Sequence, residues 1–250
     1  MRTSLPGKFL WFELSTPDVA RAKTFYADVI GWTSRGFPAG PVSYDMIFFG
    51  EALDTMVGSY APAPGAAHWT SCVSVRDLDA TVALAAANGG AIVDPIAAVP
   101  GVGRRATIRD PQGAVLCLFE RIQDDKPDVA WAKHGDFFWN ELHTSDPRAA
   151  AAFYGKVIGY AHEAMGDYHV LSSSGAGRAG VTAARGEPPH WLPYVMSDDI
   201  DATIARVVPA GGTVTTAPTD IPGIGRYAVL RDPAGASLAV MKPTPRMKPH

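Results

Sequence analysis

The chain repeats itself, and this duplication limits its fold more than any other feature. Phe9-Leu-Trp11-Phe-Glu13-Leu14 returns as Phe137-Phe-Trp139-Asn-Glu141-Leu142, an offset of 128 residues. Phe25-Tyr26 with Val29-Ile30-Gly31 returns at the same offset as Phe153-Tyr154 with Val157-Ile158-Gly159. The later blocks match at an offset of 122: His68-Trp69 with His190-Trp191, Gly89-Gly90 with Gly211-Gly212, and Arg109-Asp110-Pro111 with Arg231-Asp232-Pro233. Pro100-Gly-Val-Gly-Arg104 and Pro222-Gly-Ile-Gly-Arg226 share that offset. The matched blocks place one domain over residues 1–122 and a second over 136–243. Between them, 123–135 reads as a polar, proline-marked linker holding Asp124, Asp125, Lys126 and Pro127, and 244–250 as a Pro- and Lys-rich tail.

Each half divides again. Phe9 to Leu14 is short and aromatic, which predicts a strand. Thr16-Pro17-Asp18 then predicts a helix start, with a capping hydroxyl, proline in the first turn and an acid at the positive end. Gly31 predicts its left-handed stop. Strand-like segments follow over Trp32–Gly36, Ser43–Phe49 and Asp54–Tyr60. The module starting at His68 repeats the plan, with Asp77 as cap, Asn88-Gly89-Gly90 as stop and Asp110-Pro-Gln-Gly113 as a tight turn. The chain thus reads as α+β, four βαβββ modules in two tandem domains. A lone module would leave an exposed edge and an uncovered face, so modules pair into curved mixed sheets around a cleft. First with second is the simple pairing, and exchange of modules between the copies is the alternative.

Composition narrows the partners. Hydrophobic residues are 47% and charged residues 19%, enough apolar side chain for packed cores. Lys plus Arg number 22 against 25 for Asp plus Glu, which argues against nucleic acid and against an anionic membrane surface. No long apolar run predicts a membrane span. Two cysteines, Cys72 and Cys117, make no disulfide framework, and a cytoplasmic protein is expected. A small-molecule ligand is the expected partner, bound by a monomer or a homodimer.

The paired βαβββ plan, with Phe-Tyr in the helix and Val-Ile-Gly at its end, resembles the vicinal-oxygen-chelate superfamily (glyoxalase, bleomycin resistance protein, dioxygenase). The combination with Pro189-His190-Trp191-Leu-Pro193-Tyr194 and Thr219-Asp-Ile-Pro-Gly-Ile-Gly-Arg226 is similar to a two-repeat subgroup that includes mycobacterial culture-filtrate antigens, some labelled hydroxylases. That resemblance implies a divalent metal in the cleft, held by His and Glu on the first and last strands of paired modules. At the matching first-strand positions stand Trp11, Thr70, Trp139 and Leu192, and at the last-strand positions Cys117 and Ala239. The usual metal tetrad is therefore missing from both copies, and no cofactor is expected there.

Other residues recur in its place. Strand alternation puts Glu13 on the face of Trp11 and His68 on the face of Thr70. A twofold axis between modules predicts that Glu13 meets His68 and that Glu141 meets His190. Such a pair can tie two modules together or act as a general base. His143, at the position of Ser15, adds a third polar group in the second copy. Glu141, His143 and His190 form the expected place for a metal if one binds at a displaced site. Trp11, Trp139, Thr70, Leu192 and Cys117 are the expected ligand-binding residues, and the tryptophans suit a flat, largely apolar molecule. Arg104 and Arg226 are expected in surface salt bridges. Four functions stay open: a metal-independent acid–base enzyme of lyase, isomerase or oxygenase-like type, a binding or sequestration protein, a metalloenzyme with a displaced site, and a structural protein with a filled-in cleft.

Overall fold

The computed structural model describes residues 3–39, 42–52 and 55–244. Asp54, expected in a strand, and residues 245–250 of the tail, His250 included, lie outside the described residues.

Four βαβββ units follow one another. The first domain runs β1 (Phe9–Thr16), α1 (Val19–Ile30), β2 (Thr33–Ala39), β3 (Val42–Phe48), β4 (Met56–Pro62), β5 (His68–Ser74), α2 (Leu78–Ala87), β6 (Ala91–Val99), β7 (Gly103–Arg109) and β8 (Val115–Arg121). The second runs β9 (Phe137–Thr144), α3 (Pro147–Ile158), β10 (Ala161–Met165), β11 (Tyr168–Ser173), β12 (Ala176–Ala183), β13 (His190–Met196), α4 (Ile200–Val207), β14 (Thr213–Ile221), β15 (Gly225–Arg231) and β16 (Ser237–Pro243). Each domain is an eight-stranded mixed sheet, in the orders β2-β3-β4-β1-β5-β8-β7-β6 and β10-β11-β12-β9-β13-β16-β15-β14. The first strands of paired modules meet antiparallel at the centre, β1 with β5 and β9 with β13. First module pairs with second and third with fourth, the simpler of the two arrangements.

Helix starts follow one rule. The cap of α1 is Asp18, whose carboxylate accepts from the Arg21 amide; Thr16 sits too early and its hydroxyl accepts from the Asp18 amide instead. Asp77, Asp146 and Asp199 cap the other three helices in the same way. A short acceptor directly before the first helical residue satisfies an orphan N–H that no helical carbonyl can reach. Gly31 ends α1 with φ of 86°, a left-handed turn that a β-carbon would strain.

Hydrogen bonding pairs the modules within each copy, but burial joins the copies to each other. One core packs Leu14, Phe25, Tyr26, Val29 and Trp32 of the first module against Val195, Ile200, Leu230 and Leu238 of the fourth. The other packs Val73, Leu78, Ile108 and Leu116 of the second against Leu142, Phe153, Tyr154 and Leu171 of the third. Accordingly α1 lies on α4 and α2 on α3. The helix-bearing faces of the two sheets therefore face each other, Phe12 stacking on Phe137 with ring centroids 3.8 Å apart, and each sheet turns its other face outward as a cleft.

Two matched hydrogen-bonded trios lock this interface. Trp69 donates to the Tyr26 hydroxyl and Tyr26 to Asp232 across the copies, while Trp191 donates to Tyr154 and Tyr154 to Asp110. This explains why Phe-Tyr, His-Trp and Arg-Asp-Pro recur together. The joint between the copies is also pinned: the buried Asp125 carboxylate accepts from Ser74 and the Leu5 amide, and Asp128 pairs with Arg178 at 2.7 Å.

Candidate functional site

On β1 and β9 the residues that face the core are Leu14 and Leu142, so Glu13 and Glu141 face the clefts. The register differs from the symmetric expectation. Glu13 lies opposite Thr70 and His68 opposite Ser15; Glu141 lies opposite Leu192 and His190 opposite His143. Core packing sets this pairing, because it places Leu14 beside Trp69 and Leu142 beside Trp191, all four buried. The expected Glu13–His68 contact is thus replaced. His68 is exposed, with Nδ1 3.1 Å from the Ala66 carbonyl, and Glu13 instead faces Arg105. Cys117 is buried beside its strand partner Cys72, and this neighbour, then burial, pushes the Cys72 thiol up. Cys72 is therefore no ready nucleophile.

The second cleft gathers more chemistry. Tyr194 donates to Glu141 at 3.2 Å, and Trp139 donates to the hydroxyl of Tyr168, whose phenol lies near enough to Glu141 to feel its charge. Burial first, and then the Glu141 charge, push both phenols up, so both remain protonated beside the carboxylate. Gly180 makes this contact feasible, since a β-carbon there would overlap the Tyr168 hydroxyl. Gly180→Ala is expected to expel Tyr168 from Glu141 at a cost of about 1–3 kcal/mol. A spectrophotometric tyrosine titration should then show one raised phenol return towards about 10; no change would mean that the sheet shifts instead.

His143 stands between two carboxylates, with Nε2 2.9 Å from Glu141 and Nδ1 3.3 Å from Glu187. Neither approach has hydrogen-bond geometry, and both buried ring nitrogens lack an aligned partner. The His190 ring stacks on His143 with centroids 5.0 Å apart, and its Nδ1 lies 2.9 Å from the Pro188 carbonyl. Burial lowers the His190 imidazole below its usual range, against the pull of that carbonyl. Burial opposes ionisation of Glu187, yet the backbone around it and the two imidazoles hold its carboxyl below the ordinary range. One donor atom from each of His143, Glu187 and His190 lies within 4.8 Å of the others, a candidate metal site. Two imidazoles and a carboxylate are a donor set that suits zinc, manganese, iron or nickel. The two buried His143 nitrogens have no aligned protein partner, which is the need a cation would meet, so the residues fit.

The expected displaced trio is therefore changed in one member: Glu187 stands with the histidines, and Glu141 sits behind His143. Glu187 was missed because it lies on the loop before β13, where strand parity says nothing. Its signal was the difference between copies, since Gly65 holds that place in the first repeat. With Ser15 in place of His143 as well, the first cleft lacks two of the three donors. Arg104 pairs with Asp79 and Glu120, and Arg226 with Asp201 and Asp220, as surface salt bridges. A shallow hollow of about 360 Å³ beside Arg226 is lined by Asp220, Ile221 and Lys242, away from Glu141 and His143.

Fold and sequence agree on the class. Residues 8–118 match the family model for the glyoxalase/bleomycin resistance protein/dioxygenase superfamily, and 139–241 match that for a glyoxalase-like domain. A Mycobacterium tuberculosis protein named "Putative glyoxylase CFP32" is 36% identical over 252 residues, covering 94% of this chain and 95% of that one. The chain belongs to the glyoxalase/bleomycin resistance/dioxygenase superfamily. The anthracycline biosynthesis protein DnrV of Streptomyces peucetius is 31% identical over 261 residues, covering 95% and 94% of the two chains. The crystal structure of a Mn(II)-bound glyoxalase from Novosphingobium aromaticivorans has a TM-score of 0.69 at 18% identity, over 96% of this chain and 83% of that one, which shows a shared fold. Among the described residues no helix is long and apolar enough to cross a membrane.

Proposed function

We propose that the chain is a metal-assisted acid–base enzyme acting on a small molecule in the second cleft. The observation that carries this is the His143–Glu187–His190 triad, together with the buried His143 nitrogens that lack an aligned partner. A divalent metal there supplies Lewis-acid polarisation of a ligand oxygen. Glu141 is the group that takes up a proton, held in place by the Tyr194 hydroxyl. His143 turns Nδ1 to the triad and Nε2 to Glu141, so the carboxylate also fixes the ring. Trp139 and the tyrosines suit a flat ligand with an aromatic or conjugated face. The name of the anthracycline-biosynthesis relative is compatible with that ligand class.

The test is calorimetric titration of chelator-treated protein with Zn²⁺, Mn²⁺, Ni²⁺ and, without oxygen, Fe²⁺. About one equivalent of at least one metal should bind. His143→Ala, Glu187→Ala or His190→Ala should each weaken binding at least about 100-fold, whereas Glu141→Gln should weaken it about 10–100-fold. Absence of binding by the wild-type chain, or full binding by His190→Ala, would sink the reading.

A further inference from the structure

The two clefts have diverged position by position. Where the second has Leu192, Tyr194, Tyr227 and Ala239, the first has Thr70, Cys72, Arg105 and Cys117. Gly180 and Ser59 hold the same place, each opposite the cleft glutamate of its own sheet. The Ser59 hydroxyl accepts from the Trp11 indole at 3.0 Å. Hydroxyls, thiols and a cation thus replace an aromatic and aliphatic floor; Thr70 and Cys72 are smaller than Leu192 and Tyr194, while Cys117 and Ser59 are larger than Ala239 and Gly180.

Arg105 is the cation. Its side chain is 44% exposed, beside Glu13 at 16%. Along β7 it shares a face with Thr107, whose partner on β8 is Cys117, and it reaches Glu13 on β1, so it lies over the cleft floor. Nη1 stands 3.4 Å from both Glu13 oxygens. Other arginine–carboxylate pairs of the chain are much closer: Arg104–Glu120 at 2.6 Å, Arg178–Asp128 at 2.7 Å and Arg226–Asp201 at 2.9 Å. At 3.4 Å these hydrogen bonds are long and weak, so Arg105 and Glu13 hold each other only loosely. A guanidinium fork fits a carboxylate with two parallel bonds. A purely anionic ligand would meet repulsion from Glu13, so the complementary ligand also offers Glu13 a donor.

We propose that the first cleft binds a small molecule carrying a carboxylate with an adjacent hydroxyl or ammonium group, an α-hydroxy or α-amino acid, with Arg105 taking the carboxylate and Glu13 the donor. This site is independent of the metal triad, since Ser15 and Gly65 replace two of its donors. The two halves of the chain therefore serve different ligands.

Four probes separate the requirements: 2-hydroxybutyrate, 2-aminobutyrate, butyrate without the donor, and 2-hydroxybutyramide without the carboxylate. Titration should show one of the first two binding, butyrate about 10-fold or more weaker, and the amide not at all. Arg105→Met should abolish binding, and Arg105→Lys should weaken it about 10-fold while keeping the charge. Glu13→Met, which removes the acceptor while keeping the side-chain length, should erase the preference over butyrate. His190→Ala, in the other cleft, should change nothing, so loss of metal binding there and loss of acid binding here are read separately. No binding of either acid at about 10 mM, or binding that survives Arg105→Met, overturns the proposal.

Discussion

Asp110→Ala is expected to destabilise the chain by about 3–5 kcal/mol, although the residue lies far from either cleft. Asp110 is 3% exposed. One of its oxygens accepts from the amides of Gln112, Gly113 and Ala114, at 2.9, 2.8 and 3.0 Å. The other accepts from Tyr154 of the second copy at 3.1 Å. Alanine would strand buried donors in the turn and at the interface, and each costs its desolvation. Asp110→Asn keeps the turn but presents an amide to Tyr154, which already accepts from Trp191, and should cost about 1–2 kcal/mol. The matched Asp232 stands 3.4 Å from Tyr26, a weaker link. Burial pushes its carboxyl up, against the amides of Ala236, Ala234 and Gly235. The folded chain then keeps that proton to higher pH than the unfolded chain. Its contribution is greatest in acid and is lost as pH rises through the folded value. Asp232→Ala should therefore cost less than Asp110→Ala near neutral pH. Urea unfolding of the three variants measures this, and a loss below about 1 kcal/mol for Asp110→Ala would remove the trio from the interface account.

The sequence disclosed modules and their pairing because duplication prints the same local signals repeatedly: an aspartate before each helix, glycine after, alternation along each strand. What packs against what was less legible. Tyr26 and Tyr154 stand in the repeated Phe-Tyr pair, yet each reaches an aspartate of the other copy, and no periodicity encodes a contact 206 or 44 residues away. Register was missed for a related reason. Parity fixes which face a side chain takes, while the opposing partner depends on how Leu14 and Trp69 share the core. In the second site, His143 and His190 were legible from parity and repeat comparison, but Glu187 was not, because loops carry no parity. Arg105 escaped notice as one of many strand charges; only comparison with Tyr227, once both were known to line clefts, marks it out.

Residues 1–122 and 136–244, expressed separately, are expected to fail as folded monomers. Each half has a complete eight-stranded sheet, so hydrogen bonding alone would suggest two independent domains. Burial says otherwise, since each core takes one module from each half. In an isolated first half, Leu14, Phe25, Tyr26, Val29 and Trp32, all at most 1% exposed in the whole chain, would lose their cover. At about 1.5–3 kcal/mol for each large apolar side chain uncovered, five such losses rival the 5–15 kcal/mol that holds an ordinary domain together. The pseudo-symmetry leaves one escape. α1 packs on α4 as α3 packs on α2, and the second and fourth modules are related by the repeat. The second module of one half can therefore cover the first module of another copy, and any folded half should be a dimer. Sedimentation and near-ultraviolet circular dichroism of each half, alone and after co-expression, decide the matter. Aggregates or dimers alone, with a one-to-one complex on co-expression, are the expected outcome. A half that stays monomeric and unfolds cooperatively would show that the shared cores are dispensable, and that each sheet stands on contacts of its own.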